Sequence, residues 1–460
     1  MTTLFAPTAL MPDGWADNVL IECDKEGWIV GVDTFKSMPE SGSETEIVAG
    51  PLVPGMPNVH SHAFQRAMAG LTERASGKKD NFWSWRETMY RFLSGIEPED
   101  MEALAAQVYV EMLKAGYTTV GEFHYLHHQK DGTPYDDRAI LSRQIIKAAL
   151  ETGIAITHMP VLYAYGGFGE QLPAEGQKRF INTVPELLKI IEALHKDYQN
   201  TPQVTIGFAH HSLRAVSPEM LREGTRAVRK LLHQAPIHIH AAEQMGEVEN
   251  CLSWSKQRPV EWLLENGNVD ELWTFVHCTH MTDSETAALA ASGVVAGLCP
   301  TTEANLGDGV FPLIKFFHAG GRFGIGSDSH ISVSMVEELR WLEYVQRLLH
   351  RERTLIKQVE NPSVGAVIFE QALSGGARSL GRNIGKIEIG HRADFLVLDQ
   401  DLPCMTGKLR DHILDAAIFA SNDNPVRDVM VGGRWVVRDR HHKREEQILE
   451  RYRRVMQKFR

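Results

Sequence analysis

The chain of 460 residues is 43% hydrophobic and carries a formal net charge of −11. At roughly 150 residues per domain it has room for a large core in up to about three units, and its acidic balance removes nucleic acid and anionic membrane surfaces as partners. No apolar stretch approaches the ~18 residues of a membrane span, and the five cysteines, odd in number and without a C-x-x-C pair, read as free thiols of a reducing cytoplasm.

Met1–Pro7 has no basic segment leading into an apolar core, so no export signal is expected. Asn18–Cys23 and Trp28–Val32 read as short strands, followed by a polar loop at Ser37–Glu46. From Leu52 the pattern becomes strand, loop, helix. Strands are expected near 52–58, 117–123, 154–161, 204–210, 236–241, 273–278, 294–299 and 322–327. Helical periodicity covers Glu99–Ala115, Arg138–Glu151, Val184–Lys196, Ser217–Gln234 and Ser284–Ala291. Eight such units predict an α/β fold, a (β/α)8 barrel of the TIM type, whose active site sits at the C-terminal strand ends. Strand character returns in Ala393–Asp399 and Asp428–Val437. Neither this block nor the N-terminal one makes a comfortable sheet alone, so the two are expected to pair into one discontinuous small β-sandwich domain. The expected division is 1–50 and 386–460 for that domain and 51–385 for the barrel. Gly375–Lys386 has the wrong glycine spacing for a phosphate loop and reads as a linker. Glu445–Arg460 reads as a charged, solvated or packing helix.

Three expected strands exit into residues that suit one metal site: His60-Ser61-His62, His240-Ala241-Ala242-Glu243 and Ser327-Asp328-Ser329. Residues i and i+2 of a strand face the same way, so His60 and His62 can chelate one ion. A lone His-x-His is more often structural; three sets at three strand exits reverse that weighting. Imidazoles with one carboxylate and an open position suit a catalytic Zn²⁺, one per chain, although Fe²⁺ and Mn²⁺ accept the same ligand types. His238, His280 and His330 are rivals nearby. His240 is preferred because Glu243 follows it three residues on, where the chain has left the strand. Cys278 reads as a core thiol, His441-His442 as exposed, and His127 and His128 as mouth residues without an assigned role. H-E-x-x-H, G-x-S-x-G, Walker A and the H-x-E with P-C-x-x-C signature of nucleic-acid zinc deaminases are all absent.

From about Leu52 to Ala393 these motifs resemble the amidohydrolase superfamily, and the flanking blocks resemble its small composite β-domain. In its mononuclear deaminase branch the resemblance implies His60, His62, His240 and Asp328 as metal ligands, and Glu243 and His277 as proton carriers beside them. No residue at 122–124 matches the carboxylated lysine of the dinuclear branch, so one metal is implied. Asn58–Gly70, Trp83-Ser84-Trp85-Arg86, Gly121–His128 and His211-Ser212-Leu213-Arg214 are more discriminating, and are similar to the formimidoylglutamate deiminases of that branch. That likeness implies Gln65, Arg86, Tyr125, His211 and Arg214 as contacts to the glutamate portion of the substrate, and a homodimer. Independently, two carboxylates call for planar guanidinium forks, one from each of two strand-exit loops. Structural ion pairs are the competing reading of both arginines.

The expected reaction is hydrolysis of N-formimidoyl-L-glutamate to N-formyl-L-glutamate and ammonia in histidine breakdown. Asp328 and His277 would orient and deprotonate the attacking water, and Glu243 would protonate the departing nitrogen. The leading enzyme alternative is a mononuclear deaminase of guanine or an adenosine derivative, for which aromatic stacking would serve better than two arginines. A catalytically silent, metal-stabilised barrel is disfavoured because such a site has no use for Glu243 and His277.

Overall fold

The computed structural model describes residues 1–34, 45–74 and 82–459, with the backbone alone at 82–83. The expected loop at Ser37–Glu46 falls outside the described residues up to residue 44, as does the side chain of Trp83. Two sheets organise the chain.

The first is the predicted barrel. Its strands are Met56–Ser61, Tyr117–His124, Ala155–Leu162, Val204–Ile206 with Phe208–Ser212, Ile237–Ala241, Trp273–His277, Val295–Leu298 and Arg322–Ile325, all parallel and in chain order. Buried on both faces, they read as nearly continuous apolar runs. Closure falls at the functional end. A bridge joins Ser61 to Asp328, with the Asp328 amide donating to the His60 carbonyl at 2.9 Å and the His62 amide to the Asp328 carbonyl at 3.1 Å.

The second sheet comes from both ends of the chain. Thr2–Met11, Gly14–Cys23 and Ile29–Thr34 form one side, and Phe395–Leu398, Val426–Val431, Arg434–Arg438 and His441–His442 the other. Leu52–Pro54 stitches them together, antiparallel to Phe395–Leu398 and parallel to Thr2–Met11. The run read as one strand over 52–58 is therefore two. Gly55 divides it: its amide donates to the Asp394 carbonyl at 2.9 Å, and a side chain there would collide with Thr118.

Four of the five expected helices fall within two residues of their limits, as Pro98–Lys114, Ile140–Thr152, Val184–Tyr198 and Asp283–Ser292; the fifth, Pro218–Leu231, stops three residues early. The Gly375–Lys386 run corrects the linker reading. Its first five residues end the helix Val364–Ser379, which lies against the barrel. A Cβ on Gly375 would strike the Phe323 carbonyl, and one on Gly376 would come within 2.8 Å of Pro57. The glycines there serve close helix packing. Among the described residues no helix is long and apolar enough to cross a membrane, and all five cysteines are free.

Candidate active site

Strands one and five deliver three imidazoles to one point. His60 Nε2 lies 3.2 Å from His62 Nε2 and 3.0 Å from His240 Nε2. His62 Nδ1 is 2.9 Å from the Phe123 carbonyl, and His240 Nδ1 is 2.9 Å from that of His211. A carbonyl only accepts, so both Nδ1 atoms carry the proton and both Nε2 atoms present a lone pair. Burial disfavours charging these rings: it holds His62 down at about 3, and His60 and His240 well below the usual histidine range. The His62 and His240 Nε2 lone pairs both converge on His60 Nε2, and the three nitrogens fit a shared cation. Asp328 turns toward them with φ 45°, its Oδ1 3.6 Å from His60 Nε2 and 3.4 Å from His62 Nε2. Burial raises its carboxyl group to about 7, with His277 opposing and Glu243 and Glu303 adding to the rise.

The rival histidines lie elsewhere. His238 Nε2 is 2.8 Å from the Ser379 carbonyl, and His330 Nε2 is 3.0 Å from Ser61 Oγ. His127 and His128 are buried against the carbonyls of Val161 and Ile181.

Above the imidazoles opens a cavity. All five residues expected to contact substrate, Gln65, Arg86, Tyr125, His211 and Arg214, line it together with Glu243 and His277. Gln65 Nε2 donates to the Tyr125 hydroxyl at 3.2 Å. The Arg86 guanidinium stands 5.5 Å from the centre of the Tyr90 ring. Burial works against the charge of Arg214, but Glu247, Tyr163 and Glu243 outweigh it and raise its pKa.

A family model described as the amidohydrolase family matches residues 52–436. The chain belongs to the amidohydrolase family. This amidohydrolase is 49% identical over 447 residues to a formimidoylglutamate deiminase of Pseudomonas aeruginosa, covering 97% of each chain. It is 28% identical over 392 residues to a 5-methylthioadenosine/S-adenosylhomocysteine deaminase of Natronomonas pharaonis, covering 85% of this chain and 82% of that one. Among solved structures it superposes on an amidohydrolase of Brucella melitensis with a TM-score of 0.93 and 44% identity, covering 100% of this chain and 99% of the other.

In this amidohydrolase, the exits of strands five, six and eight bring Glu243, His277 and Asp328 toward one another. His277 closes strand six at φ 71°, with Nε2 3.8 Å from Asp328 Oδ2 and 4.0 Å from Glu243 Oε1. Burial alone would depress it; Glu243, a hydrogen bond donated to Glu303, and Asp328 outweigh that and push it up to about 10. Glu243 follows Ala242 at φ 51°, and the buried Glu247 carboxylate accepts both amides, at 3.2 Å from Ala242 and 3.1 Å from Glu243. His277, Cys299 and Asp328 also offer three ligand atoms within 4.8 Å of one another.

The sequence reading missed several neighbours of this site. Glu303 touches His277 Nδ1 at 3.2 Å. Met89, Tyr90, Tyr163, Phe180 and Thr302 line the cavity, beside Trp85 and Ser329 from segments already singled out. For Glu303 and Thr302 the available signal was position, just beyond strand seven. Tyr90, Tyr163 and Phe180 carried none, because their spacing in the chain matches ordinary core.

Proposed function

We propose that this amidohydrolase hydrolyses N-formimidoyl-L-glutamate to N-formyl-L-glutamate and ammonia. The observation that carries the reading is the 49% identity, across 97% of both chains, to a protein named for that deimination. The pocket chemistry agrees with it. Two guanidiniums, Arg86 and Arg214, flank a cavity whose floor holds the imidazole cluster, and a dicarboxylate needs such forks at both ends.

In this reading His60, His62, His240 and Asp328 hold one divalent ion, and their nitrogen-rich set with one carboxylate favours Zn²⁺ over Fe²⁺ or Mn²⁺. Zn²⁺ bound there would supply a water acidified toward a pKa of about 7. Arg86 and Arg214 each engage one substrate carboxylate, while Gln65, Tyr125 and His211 complete the contacts to the glutamate portion with neutral donors and acceptors. Asp328 and His277 orient the water, and its first proton passes into this pair as oxygen bonds to the formimidoyl carbon. Glu243 delivers this proton to the imino nitrogen, giving a tetrahedral adduct; the second water proton follows to the same nitrogen as the carbon–oxygen double bond forms, the carbon–nitrogen bond breaks, and ammonia leaves. Each acid lies within about 4 Å of His277 Nε2, short enough for a proton to pass through the ring between them. We extend the reading to a cytoplasmic homodimer working in histidine breakdown; light scattering checks the dimer.

The test is ammonia release from purified protein offered N-formimidoyl-L-glutamate, guanine, adenosine and cytosine separately. Turnover of the formimidoyl compound with N-formyl-L-glutamate as co-product is expected. Turnover of a ring substrate in its place would overturn the reading.

A further inference from the structure

Glu303 is the fourth residue of the helix Pro300–Leu306, which begins directly where strand seven ends. Its carboxylate is held before it meets any other side chain. Oε1 accepts the Cys299 amide at 2.9 Å, and the helix start is itself fixed by the buried Glu338, which accepts the Thr301 amide at 2.9 Å and the Thr301 hydroxyl at 2.5 Å. The same Oε1 lies 3.2 Å from His277 Nδ1, with the side chains of Glu303 and His277 only 7% and 1% exposed. The partner ring is just as constrained. His277 and Cys278 are consecutive non-glycine residues in the left-handed region, at φ 71° and 51°, a conformation that costs energy and fixes the direction in which the imidazole leaves the strand.

A carboxylate only accepts hydrogen bonds, so the pair keeps a proton on Nδ1 and leaves Nε2 as the nitrogen that gains and loses one. Nε2 is the nitrogen that faces the reacting groups, 3.8 Å from Asp328 Oδ2 and 4.0 Å from Glu243 Oε1. We infer that Glu303 is a positioning residue that holds the His277 ring in one orientation and one tautomer, so that Nε2 alone exchanges protons with the reacting centre. The inference rests on the proposed role of His277 in deimination. Glu303 belongs neither to the cavity lining nor to the imidazole cluster, so it acts through His277 and not on substrate.

The experiment is a double-variant cycle of Glu303→Gln and His277→Asn, measured as kcat, KM and metal content, with ¹⁵N-histidine spectra of wild type and Glu303→Gln. Glutamine keeps the shape and an acceptor for the Cys299 amide, so the fold is retained; Glu303→Asp, which shortens the reach to the ring, provides a second variant. Glu303→Gln is expected to lower kcat on the order of 10- to 100-fold, with KM within about 2-fold and metal retained. In the His277→Asn background it should change kcat by less than about 2-fold, since there is no ring left to position. The His277 signal, assigned by its absence in His277→Asn, should show Nδ1 protonated in wild type and lose that signature in Glu303→Gln. Wild-type kcat in both Glu303 variants, or full additivity with His277→Asn, overturns the inference while the deimination reading stands. Near-wild-type kcat in His277→Asn overturns the assigned role of His277 instead.

Discussion

His62 and Asp328 meet twice: the His62 amide donates to the Asp328 carbonyl at 3.1 Å, and the two side chains approach to 3.4 Å between Nε2 and Oδ1. The hydrogen bonds that close the barrel are thus made by the residues that crowd its mouth. Strand one and strand eight cannot separate without dispersing the cluster, so the barrel seam and the candidate metal site should be one unit. Purified protein should carry about one divalent ion per chain by elemental analysis. His60→Ala and Asp328→Ala should each lose it along with activity, because removing one of four ligands leaves an incomplete shell. Two stoichiometric ions, both required for turnover, would contradict the single-metal reading.

Arg86 and Arg214 should separate substrate anchoring from metal binding. Replacing either by Gln removes a charged fork from a carboxylate and should lower kcat/KM by roughly 2–4 kcal/mol of transition-state binding, with the metal content unchanged. Steady-state kinetics and metal analysis on the same preparations decide it. Near-wild-type kinetics in both variants would favour a ring substrate over a dicarboxylate.

Much of this was legible in the chain because barrel strands are apolar runs with polar exits, and an exit is where a barrel places its chemistry. His60, His62, His240 and Asp328 stand at such exits, and the structure brings them together. Glu303 stood at one too, but on the first turn of a helix, where an acid is also explained by the helix dipole. Tyr90, Tyr163 and Phe180 come from separate segments that only the tertiary fold assembles. The division at Gly55 was hidden because Leu52–Pro54 runs into the apolar start of Met56–Ser61 and both are fully buried, although they serve different sheets. Gly375 and Gly376 misled for a related reason. A glycine pair marks a loop or a close approach, and only the Phe323 carbonyl beneath the helix distinguishes them.

The C-terminal helix Glu445–Gln457 offers a stability test away from the site. Glu445 receives Lys114 Nζ at 2.7 Å, His441 Nδ1 at 3.0 Å and the His442 amide at 3.2 Å. Burial alone would raise its carboxyl group, but these partners outweigh it and pull the value down to about 2. A carboxylate depressed by folding stabilises the native state above its unfolded value near 4.5, and that contribution is lost as pH falls through about 2. Glu445→Gln should therefore cost about 1 kcal/mol at pH 7, consistent with a partly exposed network. Its deficit relative to wild type should shrink as denaturation is measured from pH 5 downward. A deficit independent of pH would assign the loss to packing.

Glu243 allows the most direct separation of binding from proton transfer. Its Oε1 lies 4.0 Å from His277 Nε2 and its backbone is pinned by Glu247, so the side chain is aimed into the cavity from a fixed turn. Glu243→Gln preserves that shape and can still hydrogen-bond, yet it cannot carry a proton from the water to the departing nitrogen. Metal content should survive, because the imidazole cluster and Asp328 are untouched. Substrate affinity should change little, whereas kcat should fall by about 10²–10⁴-fold, as expected for a lost general acid/base. Equilibrium binding, single-turnover rates and metal analysis on one preparation read these three quantities independently. Retained turnover would remove Glu243 from the mechanism. Loss of the ion would make it a ligand, and the proton would then have to pass through His277 and Asp328 alone.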